Sequence, residues 1–205
     1  VEGAPRLSSP RPTRRALRVA LEALANEPAG TERDRALAAG WCELARLELE
    51  LGDDPSAALR ASSAALAHLP PEVARPPGEP RPPDALRARA LIERCAARAR
   101  AHDPEGCLAD VARTVVELLR LRVDPKSPDL RCSLARVELA RARALLELGE
   151  PALSLEACGI ARELLAPGPE SEAERLLPEA AAIQVRAWIQ LGEPERAGSI
   201  VAEAL

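Results

Sequence analysis

The sequence predicts an all-α protein: an α-solenoid of about four helix–turn–helix units behind one N-terminal helix. Three observations carry this. A helix-ending punctuation recurs, as Gly52-Asp53-Asp54-Pro55, Leu148-Gly149-Glu150-Pro151 and Leu191-Gly192-Glu193-Pro194, with Asp103-Pro104 as a copy that lacks the Gly. Between these marks apolar residues return every three or four positions, the period of a helix with one buried stripe. The composition is 47% hydrophobic but 1% aromatic, with no Phe, Tyr or Met. Ala and Leu must do the packing, which suits closely spaced helices and suits sheets poorly.

The elements follow in order. Residues 1–12 hold several Pro and Gly and no apolar period, so they read as a tail or linker. Thr13 is placed to cap a helix running to about Asn26, with Leu17, Ala20, Leu21 and Leu24 on one face. Pro28-Ala29-Gly30 ends it. The first full unit has helices over about 32–51 and 55–69. Leu37, Trp41, Leu44 and Leu51 make the stripe of its first helix, and Gly52 is expected to close it in the left-handed conformation. Asp54-Pro55 restarts the chain, an acid at the N-cap and Pro at the first helical position. Ala57, Ala61 and Ala64 on the second helix are small enough for a partner to approach closely.

Residues 70–83 cannot be helix, because eight of the fourteen are Pro or Gly. They read as an exposed, polyproline-like connector that interrupts an array spanning 13–205. The second unit is expected over about 84–101 and 105–122, marked by Leu91, Cys95 and Ala99, then by Leu108, Val111, Val115 and Leu118. Asp124-Pro125 turns the chain into a third unit, about 129–148 and 152–166. Pro167-Gly168-Pro169 separates the fourth, about 171–191 and 195–205, whose stripe is Leu177, Ala181, Gln184, Trp188 and Leu191. The last helix carries Ile200, Val201 and Leu205 with no polar helix over it. We therefore expect a further helix beyond it, or self-association through that edge.

The totals bound the function. A formal net charge of −4 argues against bulk nucleic-acid binding. No apolar run approaches a membrane span. The five cysteines, Cys42, Cys95, Cys107, Cys132 and Cys158, are odd in number and scattered within helical patterns. They read as reduced core residues, which favours a cytoplasmic setting.

Trp41, Ala45, Gly52, Ala57 and Ala64 stand at tetratricopeptide-repeat spacings, with Pro70 near the Pro that usually ends a unit. Val185, Gly192, Ala197 and Ala204 match the same places in the last unit. The chain therefore resembles tetratricopeptide-repeat proteins over about 32–205, in the long-repeat form of kinesin light chains and some bacterial regulators. The second unit departs by lacking the Gly. The third departs by placing Glu138 and Arg141 where apolar residues belong. The resemblance implies a scaffold that binds a peptide or partner protein in a concave groove lined by the first helix of each unit. Its Lys/Asn clamp for a C-terminal carboxylate has no counterpart here. A second reading stays open: a regulatory or sensory segment of a larger multidomain enzyme or transcription regulator.

Nothing points to catalysis or a cofactor. His68 and His102 lie near helix ends outside any motif. Cys95, His102 and Cys107 would begin a zinc site, but no fourth ligand and no CxxC pair accompany them. No phosphate-binding glycine motif is present.

Counting back six and three residues from each Gly proposes a peptide site. It gives Arg46 and Leu49, Arg143 and Leu146, and Arg186 and Ile189. Guanidinium groups interleaved with aliphatics suit an acidic-hydrophobic peptide, since Arg binds carboxylates through two parallel bonds. The alternative is that each Arg simply pairs with a nearby Glu, such as Glu50 or Glu147.

Overall fold

Asp and Pro open the helices and Gly closes them where the sequence marks these positions. A computed structural model describes residues 13–52, 54–70, 84–121, 127–166 and 170–204. Among them are nine helices and no strand: α1 (Arg14–Ala25), α2 (Thr31–Leu51), α3 (Pro55–Ala67), α4 (Ala85–Arg100), α5 (Pro104–Arg120), α6 (Pro128–Glu147), α7 (Pro151–Leu165), α8 (Glu170–Gln190) and α9 (Pro194–Ala204). The expected tail at 1–12, the proline-rich stretch after Pro70, and the turns at Asp124 and Pro167 lie outside the described residues.

The caps work as their chemistry requires. The side chain of Thr13 accepts from the Ala16 amide, that of Asp54 from Ser56, and that of Asp103 from Gly106. Pro stands in the first turn of α3, α5, α6 and α7, where no amide donor is needed.

Three of the turns share one geometry. The Asp103, Glu150 and Glu193 amides each donate to a carbonyl five residues back, on Arg98, Leu145 and Trp188. This is the bond that closes a helix through a left-handed residue. Gly149 and Gly192 hold that place at φ +78° and +77°, and His102 holds it in the second unit at φ 57°. A side chain in this region is strained by about 1 kcal/mol. His102→Gly is therefore expected to stabilise the protein by about 0.5–1 kcal/mol, even though it gives up the hydrogen bond between the exposed His102 ring and Glu147. Gly149→Ala is expected to cost about 1 kcal/mol through the backbone alone, since nothing lies within 4 Å of the added carbon. Urea midpoints at constant m-value check both.

Gly52 corrects one expectation. It is extended, at φ −109°, and not left-handed. Glycine is needed there for space: an added carbon would sit 2.6 Å from the Glu48 carbonyl oxygen.

Packing follows sequence order. Each helix packs on the next, and in addition α2 meets α4, α4 meets α6, and α6 meets α8. Among the described residues α3, α5, α7 and α9 do not meet one another. The even-numbered helices thus form an inner layer and the later odd-numbered ones an outer layer. The core is a chain of small clusters, each shared by successive helices. Leu21, Leu37, Leu44 and Ala61 join α1, α2 and α3. Ile92, Cys95, Cys107 and Val137 join α4, α5 and α6, and Leu139, Cys158, Leu165 and Ile183 join α6, α7 and α8.

The buried faces correct three stripes by small rotations. On α3 the buried small residues are Ala58, Ala61, Ser62 and Ala65, one position on from Ala57 and Ala64. On α8 they are Leu176, Ala180, Ile183 and Ala187, one position before Leu177, Ala181, Gln184 and Trp188. Leu51 is 65% exposed, and α2, covered by α1, α3 and α4, buries Leu47 and Leu49 instead. The third unit absorbs Glu138 and Arg141 by pairing them with each other at 3.2 Å.

Candidate functional site: an arginine-lined cavity

The inner layer encloses a cavity of about 500 Å³. Arg46, Leu49 and Glu50 of α2 line it, with Ala96, Ala99 and Arg100 of α4. Arg136, Leu139, Ala140 and Arg143 of α6 form the facing wall, and Arg175, Leu176 and Glu179 of α8 close it. Five guanidinium groups thus share the hollow with two carboxylates, on a chain that is acidic overall.

These charges bridge the inner helices. Glu43 accepts from Arg46 and, at 2.6 Å, from Arg89, tying α2 to α4. Those two arginines hold its carboxyl below the usual range, the Arg46 hydrogen bond contributing most. The same bond to Glu43, helped by Glu50, raises the Arg46 guanidinium above its ordinary value. Glu93, fully buried, accepts from Arg136 at 2.7 Å and ties α4 to α6. Arg143 meets Glu179 at 3.0 Å and ties α6 to α8. Glu50 accepts from Arg46 at 2.6 Å and from Arg175 at 2.8 Å.

Arg100 differs from its neighbours. It donates to the Leu49 carbonyl and has no carboxylate partner among the described residues. The residue as a whole is exposed, but the surrounding wall of protein pushes its guanidinium down; the Glu179 charge opposes this, and the nearby Arg143, Arg136 and Arg175 add to it. A cation so placed is stabilised by an incoming anion.

The residues proposed from the Gly spacing divide. Arg46, Leu49 and Arg143 line the cavity. Leu146 is a correction: it is 2% exposed and packs in the core of α6, α7 and α8. Arg186 and the 58%-exposed Ile189 lie on the outside of α8, away from the lining. The alternative pairing holds for Arg46 with Glu50, whereas Arg143 pairs with Glu179 and Glu147 meets His102.

The lining positions shift along the later inner helices. Arg46 lies six residues before Gly52, whereas Arg175 lies seventeen before Gly192. The inward column therefore slides along the helices by about eleven residues, on the order of 16 Å, between α2 and α8. Arg100, Arg136, Arg175, Glu50 and Glu179 were not picked out by spacing. For α4 a signal existed. Counting from His102, which holds the place of the Gly, gives Ala96 and Ala99, and both line the cavity.

The thiols and imidazoles do not assemble a second centre. Cys95 and Cys107 are buried, and the Cys107 thiol donates to the Cys95 and Ala140 carbonyls. The ring of His102 meets Glu147 at 2.8 Å instead. Among the described residues no group of His, Cys, Asp and Glu is arranged to hold a metal ion, and no helix is long and apolar enough to cross a membrane.

Burial pushes the Cys42, Cys95 and Cys158 thiols up to about 12, and Cys107 higher still. Cys132 is only half-buried. A maleimide reagent at neutral pH is expected to modify Cys132 alone in the native protein and all five thiols after unfolding, read by intact mass. The sign of the pH effect follows. Native thiols hold their protons more tightly than unfolded ones, so stability is unaffected below about pH 8.5 and falls as pH rises from there toward 12.

No protein-family model, curated protein or solved structure matches this chain.

Proposed function

We propose that the chain is a non-catalytic interaction scaffold, a tetratricopeptide-like solenoid whose inner wall binds an acidic segment of a partner protein. The observation that carries this is the cavity charge: five arginines against two glutamates, with Arg100 lacking a carboxylate partner among the described residues. Leu49, Leu139 and Leu176 lie between the arginines, so aliphatic side chains flanked by carboxylates are the complementary chemistry. The solenoid reading is supported by the inner and outer layers and by the turn geometry shared at His102, Gly149 and Gly192. A cytoplasmic location belongs to the same proposal and is supported by the buried thiols of Cys42, Cys95, Cys107 and Cys158, none of them in a disulfide.

Fluorescence anisotropy with a labelled peptide of alternating Glu and Leu tests it. The expected result is saturable binding that weakens as salt rises, with no binding of the matching Lys and Leu peptide. Equal binding of the two peptides, or none of either, would reject the reading.

A further inference from the structure

We infer that Glu50 is an internal stand-in for the ligand: its carboxylate clasps α2 to α8 across the cavity and is displaced when an acidic segment enters. This rests on the acidic-partner reading and assigns how that site is regulated. Glu50 offers one oxygen to each side. Oε2 accepts from Arg46 on its own helix, and Oε1 accepts from Arg175, 125 residues away. The other cavity pairs described above join inner helices that already pack together, α2 with α4, α4 with α6 and α6 with α8. The backbones of α2 and α8 do not meet among the described residues, so the Glu50 and Arg175 side chains span a real gap.

The pair is also built to exchange. The Glu50 side chain is 21% exposed and that of Arg175 40%, so water and salt reach both. Ion pairs this open are weak and screened. The buried Glu93, by contrast, cannot leave Arg136 without stranding a charge in the protein interior. An incoming carboxylate can therefore compete at Glu50, whose partner Arg175 is 40% exposed against 23% for Arg143 at Glu179. It takes over the hydrogen bonds of Arg46 and Arg175, exchanging one carboxylate for another at little net change in pairing. The freed Glu50 turns to solvent, and α2 and α8 are released from each other. No covalent bond changes.

Two measurements on the 205-residue chain test this. Leu51→Cys and Leu177→Cys, both at exposed positions, carry nitroxide labels in a Cys132→Ser background whose remaining thiols are buried. Pulsed electron–electron resonance then reads the α2–α8 separation. We expect a narrow distribution in the unliganded protein. It should lengthen and broaden with Glu50→Gln, and with saturating Glu and Leu peptide. In anisotropy titrations Glu50→Gln is expected to bind that peptide roughly threefold more tightly, the size expected from freeing one exposed pair, and more tightly than Glu179→Gln does. The exchanged pair Glu50→Arg with Arg175→Glu is expected to restore the narrow distribution. An unchanged distribution in Glu50→Gln overturns the clasp, whatever the peptide does. Equal tightening by Glu50→Gln and Glu179→Gln overturns it too, because a general field would then explain the gain. A widened distribution with no peptide bound by any variant rejects the acidic-partner reading and reduces Glu50 to a structural brace.

Discussion

Asp110→Ala is expected to destabilise the protein by about 3–5 kcal/mol, the largest single-residue effect we foresee. Asp110 is completely buried on α5. Arg94 of α4 donates to both its oxygens, at 2.7 and 2.6 Å, and Arg98 approaches at 3.3 Å. Arg113 is a more distant third, at 3.8 Å. Removing the carboxylate leaves the mostly buried Arg94 guanidinium with no anion to offset its desolvation. The α4–α5 pair is the element that loosens. Asp110→Asn keeps the shape but removes the charge, so an intermediate loss is expected. Arg60 meets Asp54 in an exposed pair and serves as the control. Arg60→Ala should cost under about 0.5 kcal/mol. Denaturant melts followed by circular dichroism give all three values. A loss below about 1 kcal/mol for Asp110→Ala would mean that the chain relaxes around the missing carboxylate.

Arg100→Glu combined with Arg143→Glu is expected to weaken binding of the Glu and Leu peptide by at least about 100-fold. Each change removes an attraction and installs a repulsion facing the same anion, and two such changes together amount to roughly 3 kcal/mol. Arg100 has no carboxylate partner among the described residues, so its substitution disturbs no internal ion pair there. Arg143 does lose Glu179, so helix content must be shown to persist. Arg186→Glu provides the decisive comparison. It removes the same charge from α8, but on a face outside the cavity, and binding should stay within about twofold. If Arg186→Glu weakens binding as much as the cavity double variant, the ligand rides on the outer face of α8.

The limits of what the chain discloses before folding are physical. Helix ends were legible because Asp54, Pro55, Asp103, Pro104, Gly149 and Gly192 act on their own backbone neighbours, and local chemistry suffices. Facing residues were legible only to about one position. Whether Ala57 or Ala58 turns inward depends on the angle at which α3 crosses α2, which no short stretch encodes. The same uncertainty displaced Leu177 by Leu176 on α8. The cavity was half legible for a further reason. Arg46, Leu49 and Arg143 follow from the turn spacing, whereas Arg175 and Glu179 line the cavity from much earlier in their helix, at a distance from the turn that only the packing sets. Asp110 carried no visible sign of its partners, because Arg94 sits a whole helix earlier and only packing brings the two together.

The slide of the inward column along successive inner helices limits how such a chain can grow. In a straight stack, duplicating one helix pair would lengthen the wall and leave its chemistry in place. Here a pair inserted between α2 and α8 would carry α8 farther from α2 and draw Arg175 away from Glu50. The stretch of α8 facing the hollow would then be a different one, with none of its charges selected for that place. Duplication of a helix pair between α2 and α8 would thus extend the fold while dismantling the cavity.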